Sequence, residues 1–381
     1  MDVFHDLLEP TTHTIRVVDM HTSGEPTRIV VSGYPPLSGS TLLEKRRSAQ
    51  STHDHVRQRL MREPRGHAEM YGAFLVRETE LTESGQADIA VLFCHNEGYS
   101  TMCGHATIAL GRFLIDTHDL EVFPNREKLH YDAETGLTTL RLHAPCGLIR
   151  VQVPTIINSD EILKSDASKA VSFLGVPSYS TARGLKVVIP QEKRWLQAQN
   201  ETIEADIAFG GAFYAIVSDT ALGFPTGLRS ASLPELDTAT LALKSVIAET
   251  HKDLLKHPDE DLRFLYGVIV VDTVTTFADP NTELGICFFA DQQIDRSPTG
   301  SGVMARVALA VDKGELRIGE SRVYHSLVSL DAGAGVGFRG TAVETTEDGT
   351  IVRVEGRAFY TGAASFVVED GDGLADGFVV G

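Results

Sequence analysis

Short apolar runs rich in β-branched residues recur along the chain and limit what it can fold into. Each run is bounded by Gly, Pro or polar residues, which is typical of strands rather than helices. The predicted strands are Thr14–Met20, Asp88–Cys94, Thr138–His143, Leu148–Val153, Leu185–Ile189, Ala212–Val217, Gly267–Val274, Leu284–Ala290 and Ile351–Val354. A chain with so many strands must bury them in sheets and cannot be a helical bundle.

Helical segments are fewer. Leu42–Leu60 is rich in Arg, Gln and Glu and must end before Pro64, and Leu236–Leu255 places its apolar residues on one face. Two further helices, His105–Ile115 and Val303–Val311, begin abruptly after glycine. The pattern predicts an α+β fold in which β structure dominates.

The chain also repeats one local design. Its 381 residues exceed the roughly 250–300 at which single hydrophobic cores stop growing, so two domains are expected. Met102-Cys103-Gly104-His105 and Pro298-Thr299-Gly300-Ser301 lie just over half the chain length apart. Each follows an apolar strand and a short polar loop, and each opens a helix. This design suggests a duplicated fold with a site between its halves.

Charge excludes several classes of partner. The 34 Lys and Arg residues against 52 Asp and Glu residues give a formal net charge of −18. That sign repels phosphate backbones and anionic lipid, so we expect no nucleic-acid or membrane partner. No apolar run approaches the roughly 20 residues of a membrane span, and Met1–Asp6 has no signal-peptide features. A cytoplasmic location is expected.

The four cysteines, Cys94, Cys103, Cys146 and Cys287, contain no CxxC pair and indicate thiols in a reducing cytosol rather than a disulfide framework or a zinc site. Cys103 differs from the others because it lies at the predicted start of a helix. Unpaired N–H groups and the positive end of the helix dipole favour a thiolate there, which could serve as a general base. The alternative is a buried cysteine near a helix cap with no reactivity.

Two neighbouring features could bind an anionic or cationic group. His105 could donate to a substrate carboxylate or simply cap its helix. The segment Ile294–Gly302 has the glycines and small hydroxyls of an anion cradle, but it lacks the Gly-Lys-Ser/Thr of a phosphate loop. Asp295 could pair with an ammonium or imino cation, or it could form a turn or a local bridge to Arg296.

Taken together, ordered motifs over most of the chain resemble the proline racemase family. The motifs are Asp19-Met20-His21-Thr22-Ser23-Gly24-Glu25-Pro26-Thr27-Arg28, Arg62-Glu63-Pro64-Arg65-Gly66-His67, Met102-Cys103-Gly104-His105-Ala106-Thr107-Ile108-Ala109, Asp206-Ile207-Ala208-Phe209-Gly210-Gly211 and Asp295-Arg296-Ser297-Pro298-Thr299-Gly300. The resemblance implies a fold similar to diaminopimelate epimerase, with two pseudo-symmetric domains, each a sheet wrapped around a central helix, and an active site in the interdomain cleft. It also implies catalysis without pyridoxal phosphate or metal.

Racemases of this family use two cysteines that flank the substrate Cα. Here Cys103 matches the first and Thr299 stands at the second position. A hydroxyl is far less acidic than a thiol, so Thr299 can neither act as a thiolate base nor deliver a proton as a thiol does. The Cys/Thr pair resembles family members that dehydrate trans-3-hydroxy-L-proline to Δ1-pyrroline-2-carboxylate, in which the thiolate removes the Cα proton and the C3 hydroxyl leaves as water.

The resemblance assigns the remaining site residues. It implies that Gly104, His105, Gly300 and Ser301 hold the substrate carboxylate and that Asp295 holds the ring nitrogen. Two positions depart from the family pattern, since Ala212 replaces a usual Asn and Ser301 replaces a usual Thr. These departures concern pocket shape, and therefore the substrate, more than the type of reaction.

The expected domains are residues 1–155 plus 345–381, carrying Cys103, and residues 156–344, carrying Thr299. The expected partner is a small imino acid, and the expected assembly is a homodimer. Two alternatives stay open from the sequence: a 4-hydroxyproline epimerase or proline racemase that uses one base, and a catalytically silent imino-acid-binding protein.

Overall fold

The computed structural model describes residues 14–157, 162–333 and 335–379. Met1–Asp6, on which the absence of a signal peptide was judged, lies outside the described residues. The α-helices in the described ranges are α1 Leu42–Thr52, α2 Asp54–Met61, α3 Glu80–Glu83, α4 Gly104–Asp116, α5 Leu233–Thr250, α6 Gly300–Asp312 and α7 Leu327–Asp331. None of these helices has both the length and the apolar character needed to cross a membrane.

The strands in the same ranges outnumber the helices. They are β1 Ile15–Thr22, β2 Glu25–Ser32, β3 Tyr71–Val76, β4 Ile89–His95, β5 Tyr99–Ser100, β6 His130–Asp132, β7 Leu137–Ala144, β8 Gly147–Ile157, β9 Leu163–Ser165, β10 Val171–Leu174, β11 Tyr179–Val188, β12 Thr202–Phe209, β13 Phe213–Ser218, β14 Leu265–Val271, β15 Thr282–Phe289, β16 Gln293–Asp295, β17 Ser321–His325, β18 Phe338–Thr346, β19 Gly349–Gly356 and β20 Ala358–Phe366. The predicted α+β class is confirmed, and each predicted strand is present with ends that shift by a few residues.

One predicted helix is wrong in its continuity. The segment Leu42–Leu60 forms two helices, α1 and α2, because the backbone leaves the helical conformation at His53 (φ −122°, ψ 15°). The Asp54 carboxylate then accepts hydrogen bonds from Arg57 Nε at 2.6 Å and Gln58 Nε2 at 2.7 Å, which stabilises the first turn of the new helix.

Contacts divide the chain into two compact units. The first comprises the described residues up to Thr101, then His105–Val171, and the described residues from Arg357 onward. The second comprises Met102–Gly104 and Ser172–Gly356, so Cys103 groups by contact with Thr299. The sequence analysis expected the chain to pass from one domain to the other at residues 155 and 344.

In the first unit a sheet surrounds a buried helix. The strand order is β20-β1-β2-β3-β4-β7-β8-β9. In strand β1, Thr22 Oγ1 donates to the His105 carbonyl of α4 at 2.9 Å. Near the other end of the sheet, Gly111 of α4 lies against Val151 of β8, where an added Cβ would come within 2.7 Å of a valine methyl. Strands from both ends of the sheet therefore contact α4.

The second unit repeats this arrangement. Its strand order is β11-β12-β13-β14-β15-β17-β18-β19, and α6 is buried from Gly300 to Ala310. Helix α6 packs against β11 and β12 at one end of the sheet and against β18 and β19 at the other. The sheet therefore wraps around its helix, as the resemblance implied.

The two sheets also share one pattern of strand directions. Along each order, successive pairs are antiparallel, antiparallel, parallel, antiparallel, parallel, antiparallel and antiparallel. Strand β4 with its short partner β5 precedes α4, just as β15 with its short partner β16 precedes α6. Cys103 and Thr299 thus occupy equivalent places in a duplicated topology, which explains the sequence repeat.

Candidate active site

The backbones of Gly104 and Gly300 touch within the second unit. A Cβ atom added to Gly104 would lie 2.4 Å from Gly300 Cα, and one added to Gly300 would lie 2.6 Å from Gly104 Cα. A side chain at either position would collide with backbone, so only glycine fits. Because Cys103 and Thr299 directly precede these glycines, their Cα atoms can be no more than about 12 Å apart. The two predicted catalytic residues therefore border one small region.

Cys103 directly precedes the first residue of α4 and is only 4% exposed. A cysteine at this position lies at the positive end of the helix dipole, which favours a thiolate. Burial raises the pKa values of the other three thiols, Cys94, Cys146 and Cys287, so those groups stay protonated at neutral pH. Of the four cysteines, only Cys103 lies at the start of a helix.

Thr299 forms the N-cap of α6 in a left-handed conformation (φ 63°, ψ 90°) that a β-branched residue adopts only under constraint. Three contacts hold it. Arg306 Nη2 donates to the Pro298 carbonyl at 2.7 Å, and the Thr299 N–H donates to Ser297 Oγ at 3.2 Å. The Thr299 carbonyl accepts from the Val303 N–H at 2.7 Å, as the first bond of the helix. The turn is therefore rigidly built.

Asp295 is buried at the end of β16, shortly before Thr299 in the chain. Its carboxylate accepts the Ser297 N–H at 2.8 Å. Burial raises the pKa of Asp295 to about 6, although the bonds from Ser297 and Thr299 and the charge of Arg296 act in the opposite direction. Asp295 is thus a mostly ionised, buried carboxylate at neutral pH that would gain from a bound cation.

Gly300 and Ser301 form the first turn of α6, where backbone N–H groups can receive an anion. Ser301 Oγ lies 2.7 Å from the hydroxyl of Tyr214, and both side chains are buried. Sequence reasoning missed Tyr214, because its place in β13 reads only as part of an apolar strand.

Cys287 is a second residue that sequence reasoning did not connect with the site. It lies directly opposite Asp295 in the antiparallel pair β15–β16. The signal that could have found it is the register of this hairpin, which the apolar run Leu284–Ala290 leaves undetermined.

His105 is placed in the first unit by its contacts. Burial lowers the pKa of His105 to about 3, although a hydrogen bond to the Pro26 carbonyl acts in the opposite direction. The ring also meets the edge of Tyr71, with centroids 4.7 Å apart. The imidazole is therefore neutral and held by its own unit.

These groups suit proton abstraction next to a carboxylate. They comprise a thiol and a hydroxyl beside two helix starts, first-turn N–H groups for an anion, and a buried carboxylate for a cation. In the described part of the chain, no group of three His, Cys, Asp or Glu side chains is arranged to hold a metal ion.

Comparisons with known proteins agree on the family. A family model described as proline racemase matches residues 17–379. The trans-3-hydroxy-L-proline dehydratase of Homo sapiens is 43% identical over 378 residues, which cover 98% of this chain and 96% of that protein. The trans-L-3-hydroxyproline dehydratase of Pongo abelii gives the same identity and coverage. A hydroxyproline epimerase from Agrobacterium vitis, solved with trans-4-OH-L-proline bound, shares the fold, with a TM-score of 0.76 at 21% identity over 97% of this chain and 95% of that one.

Proposed function

The chain belongs to the proline racemase family, and from that premise we propose that it dehydrates trans-3-hydroxy-L-proline to Δ1-pyrroline-2-carboxylate. The observation that carries this proposal is Thr299. A hydroxyl stands at the start of α6, where a two-base racemase needs a second thiol. Without an acid on that side, the Cα carbanion cannot be protonated on the second face. A hydroxyl on C3 offers another reaction, because it can leave as water.

The stereochemistry of the substrate makes a second thiol unnecessary. In trans-3-hydroxy-L-proline the carboxylate and the C3 hydroxyl lie on opposite faces of the ring. The Cα hydrogen therefore lies on the same face as the hydroxyl. A single base on that face stands beside both the proton that it removes and the oxygen that leaves.

We assign the base to Cys103. Its thiolate takes the Cα proton, and the C–H electron pair forms the C2=C3 bond as the C3–O bond breaks. The departing hydroxide takes the proton back from the thiol and leaves as water, which restores the thiolate. The enamine then loses its N–H proton and gains a proton at C3, which gives Δ1-pyrroline-2-carboxylate.

Charge placement supports the binding roles. The backbone N–H groups of Gly104, His105, Gly300 and Ser301 would hold the substrate carboxylate and oppose the charge that develops on it as the Cα proton is removed. Asp295 would pair with the ring ammonium, which compensates the cost of burying this carboxylate.

The decisive experiment incubates the protein with trans-3-hydroxy-L-proline and measures pyrroline-2-carboxylate chemically. trans-4-Hydroxy-L-proline is the matched control substrate, because its hydroxyl is not β to Cα and cannot leave in this step. Pyrrole-2-carboxylate, a planar mimic of the deprotonated intermediate, should block alkylation of Cys103 by iodoacetamide. Efficient racemisation of L-proline by the wild-type protein would instead identify a racemase that works with one thiol.

We further propose that the two contact units are the two domains, and that the enzyme is a cytoplasmic homodimer that acts in amino-acid catabolism. Four reduced thiols suit a reducing compartment. Because the product is a cyclic imine, we expect the enzyme that consumes it to be a reductase. Sedimentation equilibrium tests the dimer.

A further inference from the structure

Arg306 of α6 links the catalytic turn, residues 297–300, to a neighbouring strand. It is only 4% exposed, and its side chain runs back toward the start of the helix, as helical side chains do. Arg306 Nη2 donates to the Pro298 carbonyl at 2.7 Å, and Arg306 Nη1 donates to Glu283 Oε1 of β15 at 2.9 Å. One buried guanidinium therefore joins β15 to the peptide group that leads into Thr299.

The surroundings of this guanidinium are shaped to hold it. Its central carbon lies 4.5 Å from the centroid of the Tyr324 ring, a distance at which an aromatic face attracts a cation. Gly285 of β15 leaves space for it, since an added Cβ would lie 3.0 Å from Arg306 Nη1. The second oxygen of Glu283 accepts from Arg322 Nη1 at 3.2 Å. Arg306 is thus held in place by contacts other than the carbonyl that it binds.

The first unit shows that this place in the fold does not need an arginine. Arg306 lies seven residues after Thr299 in α6. Leu110 lies seven residues after Cys103 in α4 and is fully buried. The equivalent position of the duplicated topology is therefore packed by an apolar side chain.

The strand partner differs in the same way. Glu283 lies four residues before Cys287, which pairs with the short strand β16. Ala90 lies four residues before Cys94, which pairs with the short strand β5, so Ala90 corresponds to Glu283. Ala90 is fully buried. Burying an ion pair costs desolvation that apolar side chains avoid, so the charged pair of the second unit is explained by the turn that it binds rather than by packing.

We propose that Arg306 is a positioning residue, which is supported by Glu283 and holds the Pro298 carbonyl so that the first turn of α6 stays directed at the substrate carboxylate. This inference deepens the proposed function and rests on it. Thr299 needs such support because its left-handed backbone is unfavourable for a β-branched residue. The Pro298 carbonyl and the Thr299 N–H belong to one planar peptide group. If that group rotates, the N–H groups that follow it also change direction, and the carboxylate loses donors where charge develops.

Two single substitutions separate the bond to the turn from the loss of an ion pair. Arg306→Leu introduces the side chain that α4 carries at the equivalent position and removes the bond to Pro298. Arg322→Leu is the matched control, because it removes the other arginine from the same carboxylate and keeps the bond to Pro298. Each variant loses one positive charge, and each leaves Glu283 paired with the remaining arginine.

Turnover is the first readout. In Arg306→Leu we expect kcat/KM for trans-3-hydroxy-L-proline to fall about tenfold to a hundredfold, the effect of losing a hydrogen bond from a charged donor. In Arg322→Leu it should stay within about threefold of the wild type. Urea unfolding of both variants establishes that each is folded under the conditions of the assay.

Calorimetric titration with pyrrole-2-carboxylate distinguishes positioning from a loss of folded protein. A displaced turn weakens the Kd and leaves one site per chain, whereas partial unfolding lowers the number of sites and leaves the Kd unchanged. We expect Arg306→Leu to bind at one site per chain with a Kd about tenfold weaker than the wild type. The Kd of Arg322→Leu should be that of the wild type.

A folded Arg306→Leu variant with wild-type kcat/KM and Kd would overturn the proposal, as would equal losses in the two leucine variants. If Arg306→Leu does not fold, Arg306→Lys decides, because one ammonium cannot replace the two nitrogens with which the guanidinium spans Glu283 and Pro298. Its Kd should weaken at least threefold, and a folded Arg306→Lys with the wild-type Kd would overturn the proposal. Wild-type turnover of trans-3-hydroxy-L-proline is measured first. Its absence would overturn the proposed function by itself, while the titrations, which need no turnover, decide the role of Arg306 separately.

Discussion

Replacing Asp295 with asparagine should stabilise the second unit at neutral pH while it removes activity. Burial raises the pKa of Asp295 from 3.8 to about 6 in the folded chain. The folded chain therefore holds this proton more tightly than the unfolded chain does. The contribution of Asp295 to the free energy of unfolding is fully present below about pH 4 and is lost as the pH rises through about 6. Over that window the loss is about 3 kcal/mol, at 1.36 kcal/mol for each pKa unit.

Asparagine cannot ionise and should avoid this loss, while its carbonyl can still accept the Ser297 N–H. Asp295→Asn should therefore unfold at higher urea concentration than the wild type at about pH 7.5, and the difference should shrink toward zero at about pH 4. Trp195 is the sole tryptophan of the chain, lies buried in the second unit and donates to the Leu222 carbonyl at 2.8 Å. Its fluorescence reports the unfolding of the unit that contains Asp295.

Asp272→Asn is the matched control in the same unit. Burial would raise the pKa of Asp272, but backbone N–H bonds from Thr275, Leu228 and Val274 outweigh that effect and lower it. Asp272 therefore contributes stability above its unfolded pKa, which is lost as the pH falls through its lower folded pKa. Its asparagine variant should lose stability at neutral pH, the opposite sign to Asp295→Asn.

Activity provides the second half of the prediction. Asp295→Asn should lower kcat/KM about a hundredfold or more, because the substrate ammonium loses its buried counter-charge. Refutation would be an Asp295→Asn variant that is no more stable than the wild type at neutral pH, since burial would then not be the cause of the raised pKa. Wild-type activity in that variant would show that Asp295 does not bind the substrate.

Three further substitutions test the site directly. Cys103→Ser should reduce turnover to below about 1% of wild type without changing the urea midpoint, because the near-isosteric hydroxyl cannot serve as the base; turnover above a few per cent would place the base elsewhere. Thr299→Cys should gain measurable proline racemisation by polarimetry and keep dehydration, and it must be assayed with reductant because the new thiol adjoins Cys287. If neither activity changes, Thr299 only packs the helix start. Gly300→Ala should cost several kcal/mol in urea unfolding and abolish turnover, because its Cβ would fall 2.6 Å from Gly104 Cα; a stable, active variant would disprove the close approach.

Local sequence patterns located the nine predicted strands and the longer helices, but strands such as β2, β12 and β18 were not predicted. Apolar runs bounded by turn residues located strands such as β4 and β15, and glycines located the starts of α4 and α6. Cys103 and Thr299 could be singled out because each directly precedes a glycine that marks the start of a helix. The exposed strand β20 escaped notice, since five of its residues from Phe359 to Ala363 face solvent and give no apolar alternation.

Tertiary structure decided which distant groups act on those residues. The pairing of β15 with β16 places Cys287 opposite Asp295. Packing brings the Ser301 hydroxyl within hydrogen-bond distance of the Tyr214 hydroxyl. Burial lowers the pKa of His105, which keeps its imidazole neutral. Each of these depends on register or desolvation. The sequence could locate the two helix starts because glycine and a cap residue act within a few bonds. The partners and pKa values of the site depend on contacts that form only when segments far apart in the chain pack together.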